Sequence, residues 1–136
     1  MQTSYDLIIV GAGPAGIFTA LELLRKGSKA SILLIEKGKP VEKRHCPKAE
    51  VGHCVNCKPT CAITTGFSGA GAFSDGKLSL SHEVGGELPE LIGEDFAQSL
   101  IDYTDKIYLE FGADPHVEGV YEGPEIKDIR KRAIQA

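Results

Sequence analysis

Hydrophobic residues near the start of the chain form two short unbroken runs with a helical pattern between them. Leu7–Val10 and Ile32–Ile35 are purely aliphatic, as is typical of buried strands in a parallel sheet. Between them, apolar residues recur at helical spacing over residues 14–26, and Gly27 follows as a stop signal. The pattern therefore predicts a β-α-β unit over residues 1–38. The stripe expected to face the sheet comprises Ile17, Ala20, Leu21 and Leu24.

Helical spacing returns in the last third of the chain. Apolar and aromatic residues recur every three or four positions, with Pro89 suited to a first turn and Gly112 to a helix end. We expect one amphipathic helix of about 20 residues whose apolar stripe is core. A further helix is predicted over residues 124–136. The stripe of the longer helix comprises Ile92, Phe96, Leu100, Tyr103, Ile107 and Phe111.

Four regions can be separated along the 136 residues. The β-α-β unit is followed by a polar, cysteine-rich connection (39–65), a Gly/Ser-rich segment (66–87) and a helical region (88–136). The expected fold class is α/β, with a Rossmann-like β-α-β unit followed by helical segments. One such unit supplies only two parallel strands, and the last helix has no cap. We therefore expect the N-terminal part of a longer dinucleotide-binding domain.

The loop between the first strand and the first helix carries the pattern G-x-G-x-x-G, and an acid, Glu36, closes the second strand. Gly11 permits a sharp turn, Gly13 leaves space for a diphosphate, and Gly16 allows close packing of helix on strand. The helix N-terminus attracts the diphosphate, while the acid suits the hydroxyls of a ribose. This arrangement predicts an adenine-dinucleotide site. The residues expected to bind here are Gly11, Gly13, Pro14, Ala15, Gly16, Glu36 and Lys37.

A second stretch of small residues runs from Gly66 to Leu78. Backbone N–H groups at such positions can approach a flat or anionic ligand without obstruction by side chains. Lys77 offers a cation to a phosphate or to a reduced flavin, and Asp75-Gly76 is a tight-turn pair. A flexible loop or hairpin is the alternative interpretation. The candidate cofactor contacts are Gly69, Ala70, Gly71, Ser74, Asp75, Gly76 and Lys77.

All four cysteines fall within 16 residues, at the spacing C-x7-C-x2-C-x3-C. Such a set could close around a zinc ion or an iron–sulfur cluster. A redox-active pair at the C-x2-C step, structural disulfides and ordinary reduced thiols are the alternatives. His45 and His53 are expected to be bystanders. The candidate metal ligands are Cys46, Cys54, Cys57 and Cys61.

Composition excludes several functional classes. The net charge of −4 gives no electrostatic basis for binding nucleic acid or an anionic membrane. No apolar run reaches the roughly 18 residues that a membrane span needs. The first strand begins so early that no signal peptide is expected, which makes the cytoplasm the expected location.

Taken together, these motifs resemble a known family. The first glycine loop with Glu36 is similar to the FAD-binding half of the two-dinucleotide-binding-domain flavoproteins. The cysteine-rich loop followed by Gly-Ala-Gly-Ala-Phe-Ser-Asp-Gly-Lys-Leu resembles a family of FAD-dependent dehydrogenases within them. The resemblance implies non-covalent FAD, with residues 69–77 along the cofactor towards its isoalloxazine ring. It also implies an oxidoreductase that transfers hydride or electrons to or from an unidentified small-molecule substrate or electron acceptor.

Other functions stay open at this point. Glu36 also permits NAD, although the resemblance favours FAD. A metal-binding interaction fragment without catalysis of its own, holding zinc or an iron–sulfur cluster, is the alternative from another class. Self-association through exposed strand edges is a further expectation. No residue has the context of a catalytic base, and His82 and His116 are expected to be surface residues.

Overall fold

The computed structural model describes residues 4–120 and 123–135, which divide into two compact units at residues 77/78. The first unit begins with strand β1 (Leu7–Val10), helix α1 (Pro14–Arg25) and strand β2 (Ile32–Ile35). The two strands pair in parallel with Leu7 opposite Ile32 and Val10 opposite Ile35. This confirms the predicted β-α-β unit to within one residue. Over the described residues, the chain is a mixed α/β structure with a two-stranded parallel sheet and five α-helices.

The sheet is covered on one face only. Ile9 lies beneath α1 and is half-buried, whereas Ile8 and Val10 point to the other face and are 56% and 82% exposed. The expectation of fully buried strands is therefore wrong: no residue of β1 or β2 is fully buried, and alternate residues of β1 are exposed because α1 shields one side of a pleated sheet. The α1 stripe is half-buried over its first three members, while Leu24 at its end is exposed.

The cysteine-rich connection contains short ordered pieces that its lack of periodicity did not predict. A 3-10 helix spans Val41–Lys43, and a one-turn helix, α2, spans Lys48–Val51. Residues 52–61 form neither helix nor strand. A second 3-10 helix covers Gly69–Phe73 in the Gly/Ser-rich segment.

The second unit contains α3 (Leu88–Ile92), α4 (Glu94–Glu110) and α5 (Pro124–Gln135). The single long helix predicted across α3 and α4 is wrong, because Gly93 interrupts it with φ +87° and ψ 146°. A residue in that conformation cannot continue an α-helix. The last helix is confirmed up to Gln135, and the predicted terminal Ala136 lies outside the described residues.

The apolar stripe of α4 is not the core that its spacing predicted. Ile107 is buried, together with Ala97 from outside the stripe, but Phe96 and Phe111 are 56% and 74% exposed. Within the described part of the second unit, little of the chain packs against those aromatic rings. The segment before α3 does contact α4, since the Gln98 side-chain amide donates to the Leu80 carbonyl oxygen at 3.0 Å.

No helix among the described residues is both long enough and apolar enough to cross a bilayer.

Candidate functional site

The glycine loop (residues 11–16) leaves β1 in a conformation that only glycine adopts readily. Gly11 has φ +104°, and its N–H donates to the Ile35 carbonyl oxygen at 2.7 Å, which joins the loop to the end of β2. A methyl group on Gly16 would lie 1.9 Å from the Gly11 carbonyl oxygen and 3.3 Å from a methyl of Ile9. Gly11 is thus required by its positive φ, and Gly16 by the close approach of α1 to the strand.

Gly13 differs from these two glycines because the space beside it is open. Its φ of −77° suits any residue, and a side chain there would meet no atom within 4 Å. Pro14 begins α1, so the next free N–H groups are those of Ala15 and Gly16 in the first turn. The start of α1 therefore offers an accessible set of main-chain donors at the positive end of a 12-residue helix.

The Glu36 carboxylate lies against this loop. One oxygen accepts from the Ala12 N–H at 2.9 Å and the other from the Gly38 N–H at 2.8 Å. These bonds lower the pKa of Glu36, with the bond from Ala12 having the larger effect and that from Gly38 the next. The charge of Lys37 lowers it further. The carboxylate is thereby kept ionised, and each oxygen retains a lone pair for a further donor.

The second glycine segment (residues 66–77) lies directly beside the glycine loop. The Ser68 N–H donates to the Ala12 carbonyl oxygen at 2.7 Å. A methyl group on Gly69 would lie 3.4 Å from Pro14 Cδ and 3.5 Å from Gly13 Cα. Two glycine-rich stretches more than 50 residues apart in sequence therefore meet at the start of α1.

The remaining candidate cofactor contacts of this segment have mostly local partners. Ala70 and Gly71 lie in the 3-10 helix, and Ser74 Oγ accepts from the Gly76 N–H at 3.1 Å. Asp75 and Lys77 form an exposed ion pair at 3.3 Å. The predicted backbone turn at Asp75-Gly76 is not formed, although Gly76 has φ +76° and the Lys77 N–H donates to Asp75 Oδ1 at 3.3 Å.

The cysteine loop (residues 46–61) brings its thiols to one cavity. All four cysteines line a depression of about 370 Å³, and all four are free thiols. Backbone N–H groups of Thr64 and then Ile63 lower the pKa of the Cys61 thiol. Among the described residues, no three His, Cys, Asp or Glu side chains converge closely enough to hold a metal ion already.

The histidines have partners of their own. His45 pairs with Glu50 at 3.1 Å, and His53 Nδ1 lies 3.0 Å from the Val51 carbonyl oxygen. His116 pairs with Glu118 at 3.2 Å in an exposed loop. His82 is half-buried rather than on the surface as expected, because its backbone N–H and its ring both contact the Gln98 side-chain oxygen at 3.1 Å.

Arg44 is the residue that sequence reasoning missed. It is 6% exposed, and its guanidinium donates to the carbonyl oxygens of Ala62 at 2.8 Å, Phe67 at 2.6 Å and Ile63. It also lies over the Phe73 ring, 4.7 Å from the centroid. The side chain thus joins the cysteine loop to the second glycine segment. No sequence signal identifies such a residue, because its acceptors are backbone carbonyls.

Comparisons with known proteins give one relative and no family. No protein-family model matches the chain, and no solved structure matches it. It is 37% identical over 105 residues to an uncharacterized protein of Clostridium beijerinckii, a match that covers 75% of this chain and 19% of the relative. The chain therefore spans about a fifth of the length of that curated relative. The relative's name assigns it no activity, cofactor or partner.

Proposed function

We propose that this chain forms the dinucleotide-binding part of a flavin-dependent oxidoreductase, with the diphosphate of FAD at the N-terminus of α1. One observation supports this most directly: three segments distant in sequence meet at that helix start. They are the glycine loop, the Glu36 carboxylate and the second glycine segment at Gly69. Open space beside Gly13 and an ionised acid at the same loop together suit a dinucleotide.

The residues present fit the diphosphate end of a dinucleotide. Gly13 is bare of contacts where a phosphate must approach, and the first turn of α1 supplies N–H donors and a favourable dipole. Glu36 is ionised and keeps acceptor capacity for ribose hydroxyls. Its charge disfavours a phosphorylated ribose, so an unphosphorylated adenosine is the expected neighbour.

Bound flavin would supply the hydride or electron transfer of such an enzyme. The residues of this chain bind and orient: the glycine loop holds the diphosphate, and Glu36 fixes the sugar. The second glycine segment continues from Gly69 along the cofactor. The choice of FAD over NAD comes from the family resemblance described above, since the glycine loop itself accommodates either.

Substitution of Gly13 tests the proposal with little risk to the fold. Gly13→Val introduces a branched side chain into open space at an ordinary φ, so the chain should fold as before. The same side chain occupies the position that the diphosphate needs. We expect at least a hundredfold loss of FAD affinity in the intact protein, about 2.7 kcal/mol, measured by isothermal titration with FAD and, separately, with NAD.

Gly123→Val is the matched control. Gly123 precedes α5 in the second unit, and among the described residues a methyl group there would meet the flexible end of Glu125. FAD affinity should be unchanged in this variant. Equal FAD affinity in Gly13→Val and the parent, or tight NAD binding without FAD binding in the parent, would overturn the proposal.

A further inference from the structure

The four cysteines reach their shared cavity from different backbone positions. Cys46 precedes α2, Cys54 and Cys57 lie in the irregular stretch after it, and Cys61 follows a further turn. The chain therefore folds back on itself so that thiols 15 residues apart in sequence line one depression of about 370 Å³.

The charges around the cavity favour anionic sulfur. Its lining includes the ammonium-bearing side chains of Lys48 and Lys58, and no carboxylate is among the described lining residues. Four thiolates around a zinc ion, or around an oxidised four-iron cluster, carry a net charge of about −2. Two lysines nearby offset that charge. Hard cations such as magnesium or calcium require oxygen ligands, which the lining offers poorly.

The loop is fixed at its ends and open in its middle. Arg44, just before Cys46, donates to the carbonyl oxygens of Ala62 and Ile63, just after Cys61. Both ends of the cysteine loop are therefore joined through one buried side chain. Between them, residues 52–61 form no regular structure, and Cys54 and Cys61 are exposed. The thiols can thus move together without breaking a helix or a strand.

We propose that Cys46, Cys54, Cys57 and Cys61 together bind one thiophilic metal centre, either a zinc ion or an iron–sulfur cluster. In the zinc case each of the four thiols releases its proton to solvent as the loop closes on the ion. In the cluster case two ferrous ions, two ferric ions and four inorganic sulfides are the co-reactants, so that the oxidised four-iron core forms without a further oxidant while the four thiols release their protons to solvent. The proposal does not depend on the dinucleotide site, because its ligands and its cavity are separate from the glycine loop.

Elemental analysis of the intact protein tests it. Protein purified without oxygen should contain about one zinc per chain, or about two or four irons with matching sulfide and visible absorbance. Cys54→Ser/Cys57→Ser should lose at least nine-tenths of that metal. His53→Asn removes a neighbouring potential ligand that has its own partner in Val51, and it should retain the metal in full.

A titration with Co²⁺ guards against variants that fold poorly. Metal-free parent should develop the strong thiolate-to-cobalt absorbance of a sulfur-rich site, and added zinc should abolish it. The double-serine variant should show none of this absorbance while keeping the parent's circular dichroism. Parent protein that takes up neither zinc, iron nor cobalt, or a double-serine variant that binds as much as the parent, would refute the site. So would a mass two hydrogens lower in metal-free parent isolated without oxygen, since a native disulfide excludes four thiolates.

Discussion

The glycine loop and the cysteine loop lie in the same unit but are held by different kinds of contact. The glycine loop is fixed mostly by main-chain contacts, from the Gly11 N–H on Ile35 to the close approach of Gly16 to Gly11, and the Glu36 carboxylate adds a bond from the Ala12 N–H. The cysteine loop is fixed by the side chain of Arg44, and its thiols share a cavity without converging. A dinucleotide would meet a formed site, whereas a metal would have to draw its site together. Metal should therefore contribute more to the order of its own loop than a dinucleotide does.

The two loops also differ in the sign of the charged side chains beside them. The ionised Glu36 lies at the glycine loop, where it satisfies backbone donors, while Lys48 and Lys58 line the cavity of the cysteines. Each arrangement complements a different partner: sugar hydroxyls and a helix N-terminus in one case, and anionic sulfur in the other. Substitution of the residues that hold each loop tests this difference.

Removal of Arg44 should have the largest effect. Arg44→Met leaves the part-buried carbonyl oxygens of Ala62, Ile63 and Phe67 without their donors, and hydrogen bonds from a charged group are the stronger kind. We expect a loss of about 3 kcal/mol or more in the free energy of unfolding, measured by urea denaturation of the chain. Metal uptake by the cysteine loop should fall with it.

An exposed arginine provides the matched control for Arg44. Arg132 pairs with Asp128 at 3.7 Å on the surface of α5, so Arg132→Met should change the unfolding free energy by less than about 0.5 kcal/mol. If Arg44→Met unfolds at the same urea concentration as Arg132→Met, the cysteine loop is not held as described.

A methyl group on Gly16 should have the next largest effect. Gly16→Ala places that group 1.9 Å from the Gly11 carbonyl oxygen, so α1 must move away from the strand. Overpacking of this kind costs about 1–3 kcal/mol. Gly13→Ala carries the same chemical change into open space at the N-cap of α1 and should cost less, about 1 kcal/mol or under. Thermal denaturation of the pair compares them directly, and equal midpoints would mean that α1 does not approach the loop this closely.

The parts of this molecule that sequence predicted are those determined by local chemistry. Aliphatic runs and the G-x-G-x-x-G pattern predicted β1, α1 and β2 because strand propensity, a positive φ and a helix start act over a few residues. The break at Gly93 was missed because apolar spacing continues across it, although the backbone does not. Arg44 was missed because acceptors 18 to 23 residues away leave no periodic trace. The candidate ligands were named from spacing, but their shared cavity is a property of the folded chain.

The smallest expected effect is on the pH dependence of stability, and it concerns the glycine loop through Glu36. Backbone N–H groups, that of Ala12 first, lower the pKa of Glu36 in the folded chain. The contribution of the Glu36 charge to the free energy of unfolding is therefore complete above the unfolded-state pKa of about 4.3. It is lost as pH falls through the lower folded-state pKa. Glu36→Gln cannot carry that charge at any pH. The parent should therefore be more stable than the variant near neutral pH, and the two should approach each other below about pH 4. Urea unfolding of both proteins from about pH 7 to about pH 3 measures this difference, and the lowered pKa of Asp6 cancels because both proteins contain it. A difference that stays constant to the lowest pH would show that the charge of Glu36 does not hold the glycine loop.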